Sequence, residues 1–298
     1  MPTYPAPIVA PGAGAIDWLF APTRVQRALV DLTQGRFLVD ELYTTVGAPG
    51  GAVAYDQALG TNAYLDRDVR AIRPGADFPS LTEDRLAAIV AAVDAYGGEV
   101  PITRQVINRG DTRAVDRVLV KLSNTIVRKV DAVGVSALAA APTNIRTAAV
   151  GWATATWQQM IADLVAAAGL VENIEAGYDA TVVVLNPVNA DQLLLAASVA
   201  SPSIIVAPPQ SSTDAIVTNG SVGTITALGL RIFKSLRTAA GTGYVIAGGG
   251  QLGELGEEEP LSTNVYEVPR NRTIFVQGWR AVVPMITDPK AATRLVSL

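Results

Sequence analysis

Residues 97–140 have the sequence GGEVPITRQVINRGDTRAVDRVLVKLSNTIVRKVDAVGVSALAA, and this stretch decides the fold. Its clearest element is a helix that begins after Gly110, with Asp111 as its predicted N-cap. Apolar residues recur along it at helical spacing, at Val115, Val118, Leu119, Leu122, Ile126, Val130 and Val133. Because these positions share one face, the pattern predicts a long amphipathic helix with that face buried.

The opposite face of this helix is basic. At about 100° per residue, it carries the side chains of Arg113, Arg117, Lys121 and Arg128. Three interpretations stay open: a solvated surface, a contact with an acidic loop of a neighbouring subunit, or a contact with enclosed nucleic acid. The basic face is therefore a candidate binding surface.

Residues 1–35 are predicted to form an extended arm. Prolines disfavour regular structure there, at Pro2, Pro5, Pro7, Pro11 and Pro22. One short apolar patch includes Trp18 and Phe20 and is too small to fold by itself. We expect these aromatic side chains to contact the body of the protein or a neighbouring subunit.

A long two-stranded excursion is predicted next. The run RFLVDELYTTV at 36–46 is strand-like, GAPGG makes a turn, and AVAYDQ begins a return strand before a polar stretch that ends at Pro79. An isolated hairpin is marginal in water, so one of this length is expected to lie on a partner surface. The excursion therefore indicates oligomerisation.

The chain after Pro142 alternates helix-like and strand-like segments, which predicts an α+β middle domain. Its predicted parts are a helix over 157–168 closed by Gly169, a buried strand at 181–188, a short helix capped by Asn189, and strands at 203–207, 224–233 and 243–247. The acidic stretch from Glu254 to Pro260 is predicted to be a surface loop at the edge of this domain. A long strand around Gln277 and Gly278 follows, and then Asp288 and Pro289 open a final helical turn.

The sequence contains no histidine and no cysteine, which excludes many kinds of active site. Ser-His-Asp triads, thiolate nucleophiles, disulfides and most zinc sites need one of these residues. Carboxylate chemistry of the glycosidase kind stays open, although no pair of carboxylates is singled out. We therefore expect no catalytic residue and no metal site, with a soluble α/β enzyme using carboxylates as a remote alternative.

Charge, hydropathy and glycine spacing give little support for a cofactor or a membrane. Gly248, Gly250 and Gly253 match GxGxxG after an apolar strand, but acidic residues and Pro260 follow where a phosphate-binding helix should begin. The net charge of −4 is mild, which argues against binding nucleic acid by bulk attraction. The best membrane candidate, Leu193–Pro209, is interrupted by Pro202 and shorter than the roughly 20 residues that a spanning helix needs. We expect no cofactor and no membrane contact.

The order of proline-rich arm, long hairpin, long amphipathic helix, α+β domain and closing strand resembles the major capsid protein of tailed bacteriophages, the Hong Kong 97 fold. Residues 97–140 are similar to the family's strand and spine helix, including the Arg-Lys-x-Asp at 128–131. WQQMIADLVAAAG and ATVVVLNPVNADQLLL resemble the helix, strand and Asn-Pro turn of its A-domain. The close NRTIFVQGWRAVVPMITDPKAATRLV is similar to its returning P-domain strand.

The resemblance implies an α+β subunit with four parts. These are an N-terminal arm (1–35), an E-loop (36–80), a P-domain (81–145 with 268–298) and an A-domain (146–267). It implies a non-enzymatic protein that assembles with itself into hexamers and pentamers of an icosahedral shell enclosing double-stranded DNA, which it contacts weakly and without sequence specificity. The other implied partners are a portal, a separate scaffold protein and a decoration protein, and the location is the virion, assembled in the host cytoplasm.

The resemblance also implies candidate inter-subunit contacts. On the E-loop they are Asp40, Glu41, Asp66, Arg67 and Asp68, with ordinary exposed loop charges as the alternative. The best-known member of the family cross-links an E-loop lysine, whereas residues 36–80 here contain no lysine, so covalent linkage by that route is not expected. The nearest rival function is an encapsulin-like compartment, which shares the fold and encloses enzymes instead of a genome.

Overall fold

The computed structural model describes residues 22–33, 37–57, 69–75, 77–82, 88–108, 112–174, 176–200, 205–206, 221–225 and 229–298. The helices are α1 Pro22–Thr33, α2 Val39–Leu42, α3 Arg104–Asn108, α4 Thr112–Ala140, α5 Trp157–Glu172 and α6 Pro187–Ala200. The strands are β1 Thr44–Gly47, β2 Ala52–Tyr55, β3 Ile89–Ala92, β4 Asp94–Thr103, β5 Asn144–Thr147, β6 Ala180–Leu185, β7 Ile205–Val206, β8 Ser221–Ile225, β9 Leu230–Lys234, β10 Thr242–Ala247, β11 Gly253–Val268, β12 Thr273–Ile286 and β13 Ala292–Val296.

The long helix packs on a four-stranded sheet of order β1-β11-β12-β4. The predicted helix is confirmed as α4, whose 29 residues bury their apolar face at Val115, Leu119, Leu122, Ile126 and Val130. Strand β12 lies in the middle, antiparallel to both β11 and β4. A Cβ at Gly278 of β12 would lie 3.1 Å from Leu29 and 3.2 Å from Ile126, so this glycine lets α1 and α4 approach the sheet closely.

A second sheet of seven strands has the order β5-β13-β10-β6-β9-β8-β7. The buried strand predicted at 181–188 is confirmed as β6, which pairs parallel with β9 and antiparallel with β10. Helix α5 begins with a capping box between Thr156 and Gln159 and packs on the sheet through Leu164 and Ala167. The two sheets confirm the α+β prediction and form separate halves of the fold.

The acidic stretch is not a loop, so that prediction is wrong. It lies inside β11, where Glu257 meets Arg280 and Glu259 accepts a hydrogen bond from the Trp279 indole. Both partners come from the adjacent strand β12, so the charge of Glu257 is compensated and the carboxylate of Glu259 is hydrogen-bonded across the ladder. Shifts of register on either side of Glu259 accommodate Pro260, which has no N–H to donate.

The strand predicted at 36–46 is confirmed only at its end, as β1 Thr44–Gly47, and its predicted pairing with 52–57 is wrong. Residues 39–42 form the short helix α2, and β1 pairs parallel with β11. A two-stranded hairpin does exist, but β2 pairs with β3, which lies beyond Pro79. The apolar residues from 37 to 43, including Val39, Leu42 and Tyr43, are buried against the body instead of alternating across a hairpin.

Smaller differences concern element ends in the second half of the chain. Helix α5 continues past Gly169 to Glu172, and Asn186 rather than Asn189 accepts a hydrogen bond at the start of α6. The strand predicted over 224–233 is two strands, β8 and β9. The turn at Asp288 and Pro289 is confirmed and leads into a further strand, β13, that was not predicted. The predicted N-cap Asp111 lies outside the described residues.

Two adjacent glycines of β4 give a stability prediction with its own control. A Cβ at Gly97 would lie 2.4 Å from the carbonyl oxygen of Gly278, whereas one at Gly98 would meet only Leu122 at 3.9 Å. We expect Gly97→Ala to lower the free energy of unfolding by about 2 kcal/mol, because backbone must move to make room. Gly98→Ala should have little effect. Chemical denaturation of both variants checks this, and equal midpoints would contradict it.

Candidate assembly interface

The segment that leads from α1 into the hairpin is fastened to α4 by one carboxylate. The Asp131 side chain accepts hydrogen bonds from the backbone N–H groups of Leu38, at 2.9 Å, and Val39, at 3.3 Å. Burial raises the pKa of Asp131 to about 7, against the lowering effect of these two hydrogen bonds. The Tyr43 hydroxyl adds a bond to the Gly134 carbonyl at 2.9 Å. The start of the hairpin is therefore fixed to the long helix.

A buried arginine ties the same segment to the four-stranded sheet. The Arg280 side chain is 7% exposed and forms ion pairs with Asp40 at 2.9 Å and Glu257 at 2.7 Å. Its guanidinium lies over the Phe37 ring, 4.6 Å from the centroid. One cation on β12 thus joins β11 and the segment around α2.

A third ion pair connects this segment to the seven-stranded sheet. Glu41 of α2 accepts a hydrogen bond from Arg231 of β9 at 2.8 Å. The Arg231 guanidinium also lies over the ring of Phe233. The neighbouring acids Asp40 and Glu41 therefore reach two different sheets of one subunit.

The β2–β3 hairpin is an apolar ribbon with little cover. Its two strands, AVAY and IVAA, contain no charged residue. Ala52 pairs with Ala92, and Ala54 pairs with Val90, which places these four residues on one face. All four are exposed, and Val90 is 69% exposed. Because a two-stranded ribbon is marginal in water, this face indicates contact with a partner.

The face of the four-stranded sheet that points away from α4 carries aromatic residues. Tyr266 and Phe275 stack with ring centroids 5.2 Å apart, and Trp279 lies four residues further along β12 on the same face. All three are partly exposed. Glu99 accepts hydrogen bonds from the Tyr266 hydroxyl at 2.9 Å and the Gln277 amide at 3.2 Å. The surface combines apolar rings with acidic groups, as protein interfaces often do. This surface is called the outer face below.

The predicted basic face of α4 is present at the three positions whose side chains the structure describes. Arg117, Lys121 and Arg128 are all exposed on the side of the helix away from the buried stripe. The side chain of Arg113 lies outside the described residues. The structure thus brings three of the four predicted cations to one surface.

The predicted inter-subunit residues have different outcomes. Trp18, Phe20, Asp66, Arg67 and Asp68 lie outside the described residues. Asp40 and Glu41 make ion pairs within the subunit, with Arg280 and Arg231.

Sequence reasoning missed Arg280 and the role of Asp131. Arg280 interrupts the apolar run around WRAVV, and that isolated charge within a buried strand is the signal that could have identified it.

The turn with the GxGxxG spacing joins two strands. It connects β10 to β11, so no helix N-terminus follows the glycines. Within the described ranges, no group of three or more acidic side chains is placed to hold a metal ion. No helix in the described part of the chain is long and apolar enough to cross a membrane.

A family model and many solved structures match this chain. A family model described as phage capsid protein matches residues 83–295. A search of curated protein sequences gives no match. Many solved structures match, and the three described next share 10–15% sequence identity with this chain.

Three solved structures illustrate the likeness. A virus-like particle from Pyrococcus furiosus has a TM-score of 0.61 and 13% identity, over 92% of this chain and 98% of that one. An encapsulin complex from Synechococcus elongatus has a TM-score of 0.58 and 10% identity, over 88% and 86%. The capsid of the cyanophage P-SCSP1u has a TM-score of 0.56 and 15% identity, over 87% and 86%. These identities establish the fold and nothing more.

The raised pKa of Asp131 predicts a pH effect on stability. The unfolded chain loses this proton near pH 4, whereas the folded chain keeps it up to about pH 7. Wild-type stability should therefore fall relative to Asp131→Asn as the pH rises from about 4 to about 7, by at most about 4 kcal/mol. The asparagine Oδ1 accepts the same two N–H bonds without titrating. Denaturant unfolding of both proteins across this range checks it, and a constant difference would contradict it.

Proposed function

This chain belongs to the phage capsid protein family and is a major capsid protein of the Hong Kong 97 fold, and we propose that its hexamers and pentamers close an icosahedral shell around double-stranded DNA. The observation that carries the proposal is the β2–β3 ribbon, whose uncharged face lacks cover within the described part of the subunit. Such a face needs an apolar partner, and a second copy supplies one. Each contact is weak, but many per subunit make disassembly slow.

The four-part division of the subunit is part of this proposal, with boundaries that follow the sheets. Strands β1, β4, β11 and β12 share one sheet, which supports a P-domain built from 22–47, 94–140 and 253–286. The other sheet supports an A-domain of 144–247 with 292–296. The E-loop is then the excursion between β1 and β4, residues 48–93, and the arm precedes residue 22.

We place the E-loop of one subunit on the outer face of a neighbour. The apolar ribbon matches the rings of Phe275, Tyr266 and Trp279. Exposed Arg70 and Arg73 of the E-loop match the exposed acids of the outer face, such as Glu99 and Glu259. The arm residues Trp18 and Phe20, and the E-loop residues Asp66, Arg67 and Asp68, stay proposed contacts with neighbours.

Asp40 and Glu41 act differently in this proposal. Because both are paired inside the subunit, their contribution to a contact between subunits is indirect: they hold the base of the E-loop in place. The basic face of α4 lines the inner wall and touches DNA weakly through Arg117, Lys121 and Arg128, with Arg113 as a fourth candidate.

The remaining partners follow from the role as a shell. The subunit acts without catalysis, and it meets a portal at one vertex, a separate scaffold during assembly and a decoration protein outside. It is a virion component that assembles in the host cytoplasm. Electron micrographs of purified protein test the core of the proposal: closed particles of uniform size support it, and small soluble oligomers overturn it.

A compartment for enzymes is the second candidate, favoured by the likeness to an encapsulin complex. The contents of purified particles decide between the two. Particles with protein cargo and no DNA would favour the compartment, whereas particles from infected or producing cells that contain DNA favour the capsid.

The ribbon predicts a variant that folds but does not assemble. Val90 is 69% exposed, so Val90→Lys should leave the subunit's circular dichroism and unfolding midpoint unchanged. Each lost contact between subunits costs on the order of 2 kcal/mol, repeated around the shell. Closed particles should therefore disappear from electron micrographs and sedimentation profiles. Val165→Lys, at a position 45% exposed on α5, is the matched control and should still assemble. Normal particles from Val90→Lys would contradict the prediction.

The basic face predicts an effect on the genome rather than on assembly. The double variant Arg117→Gln and Lys121→Gln should assemble normally, because both side chains lie on an exposed face. DNA in its particles should be lost at lower salt than in wild type, since each removed phosphate contact weakens binding. The DNA content of particles after washing with increasing salt measures this. If both assembly and DNA retention are unchanged, the face is merely solvated.

A further inference from the structure

A groove lies where the long helix meets the edge of the four-stranded sheet. It has a volume of about 340 Å³ and lies between α4 and the edge strand β4. Its charged lining residues are Arg128 and Lys129 of α4 and Arg237, which comes from the turn after β9 in the other sheet's half of the fold. Three cations from two separate parts of the chain thus line one concave surface.

The cations are held near one another without an acid among the described lining residues. Lys129 lies over the Tyr96 ring, 5.5 Å from its centroid, which keeps the ammonium at the groove. The hydroxyl of Tyr96, which also lines the groove, donates a hydrogen bond to Asp94 at 3.4 Å. Like charges that line one groove repel one another, and an anion bound in the groove would reduce that repulsion.

The floor of the groove is left open by a glycine. A Cβ at Gly98 would lie 3.9 Å from Leu122, which also lines the groove, and would meet no other atom within 4 Å. A larger side chain there would occupy the space. Among the strands that the structure describes, β4 is at the edge of its sheet, so the groove is open on that side.

The groove is continuous with the basic face. Arg117, Lys121 and Arg128 are exposed on one side of α4 and span 11 residues, about 16 Å along the axis. A row of this kind suits a polymer with regularly spaced charges, since duplex DNA presents one phosphate per about 1.7 Å of its axis. A single carboxylate of a neighbouring copy would need only one of these cations.

We propose that the groove formed by Arg128, Lys129 and Arg237 is a binding site for a backbone phosphate of the enclosed duplex. This inference rests on the proposed capsid function and adds Lys129 and Arg237 to the residues that meet DNA. Because Arg237 comes from the half of the fold with the other sheet, a bound phosphate bridges the P-domain and the A-domain. The filled shell is then held in one relative arrangement of the two domains by its own contents.

The test is a DNA titration with the full-length subunit. A short fluorescent duplex is titrated at several salt concentrations into wild type, the double variant Lys129→Gln with Arg237→Gln, and Gly98→Val. The double variant should bind roughly 10-fold more weakly, and its dependence of log affinity on log salt should be shallower by about 1, because one phosphate contact is lost. Gly98→Val should bind more weakly with its charge unchanged, because it fills the groove.

Arg270→Gln is the matched control for charge. Arg270 is exposed in the turn Pro269–Asn271, at the far end of the β12 pairing with β4, and its loss should leave the salt slope within error of wild type. If log affinity depends on log salt as steeply for the double variant as for wild type, the proposal is overturned. Loss of particles with DNA binding unchanged would also overturn it, and would assign the groove to an acidic surface of a second copy.

Failure of the inference is distinguishable from failure of the capsid proposal. Electron micrographs of the same wild-type preparation report shell formation independently of DNA affinity. If shells form and the groove variants bind DNA like wild type, only the phosphate site is wrong. If wild type forms no shells, the capsid proposal itself fails.

Discussion

The fold depends most on the buried guanidinium of Arg280. It lies on the central strand β12, and its partners come from distant parts of the chain: Asp40 from α2, Glu257 from β11 and the ring of Phe37. Removing one member of a buried ion pair leaves the other without compensation, at a cost of about 3–5 kcal/mol. The segment before the E-loop therefore has one low-energy position, and the direction in which the hairpin leaves the body follows from it.

Helix α4 also holds the segment before the E-loop. The Asp131 side chain accepts hydrogen bonds from the N–H groups of Leu38 and Val39. A Cβ at Gly134 would lie 2.8 Å from the Val39 side chain, so this glycine lets the segment pack closely on α4. A shell needs its projecting parts to point the same way in every copy, because each contact is repeated by symmetry. An apolar ribbon on a loose base would instead aggregate through its exposed face. In the proposed shell, the ion pairs at the base fix the direction of the hairpin, and its apolar surface makes the contact with a neighbour.

The features that the sequence predicts depend on residues close together in the chain, and the features that it misses depend on residues far apart. Helix α4 was predicted because its buried residues recur at helical spacing, and strand β6 because it is a short run of consecutive apolar residues. The stretch around Glu257 was taken for a loop because its compensating partner Arg280 lies 23 positions away and is visible only once β11 and β12 are paired. Asp131 was noticed within its Arg-Lys-x-Asp motif, but its role needs a segment 93 residues away. Glu41 likewise finds Arg231 190 positions later.

The charged residues of the subunit fall into two groups: those paired within the subunit and those left exposed. Asp40 and Glu41 looked like contacts between subunits, yet their charges are met by arginines of the same chain. The β2–β3 ribbon instead offers neighbours an apolar surface, and burial of apolar surface does not weaken when salt rises. Under the capsid proposal, the exposed cations of α4 have the opposite requirement, because packaged DNA must later leave. Phosphate contacts are strongly salt-dependent and individually weak, so they order a genome while leaving it able to exit. The proposed contacts within the shell and with the genome therefore respond differently to salt.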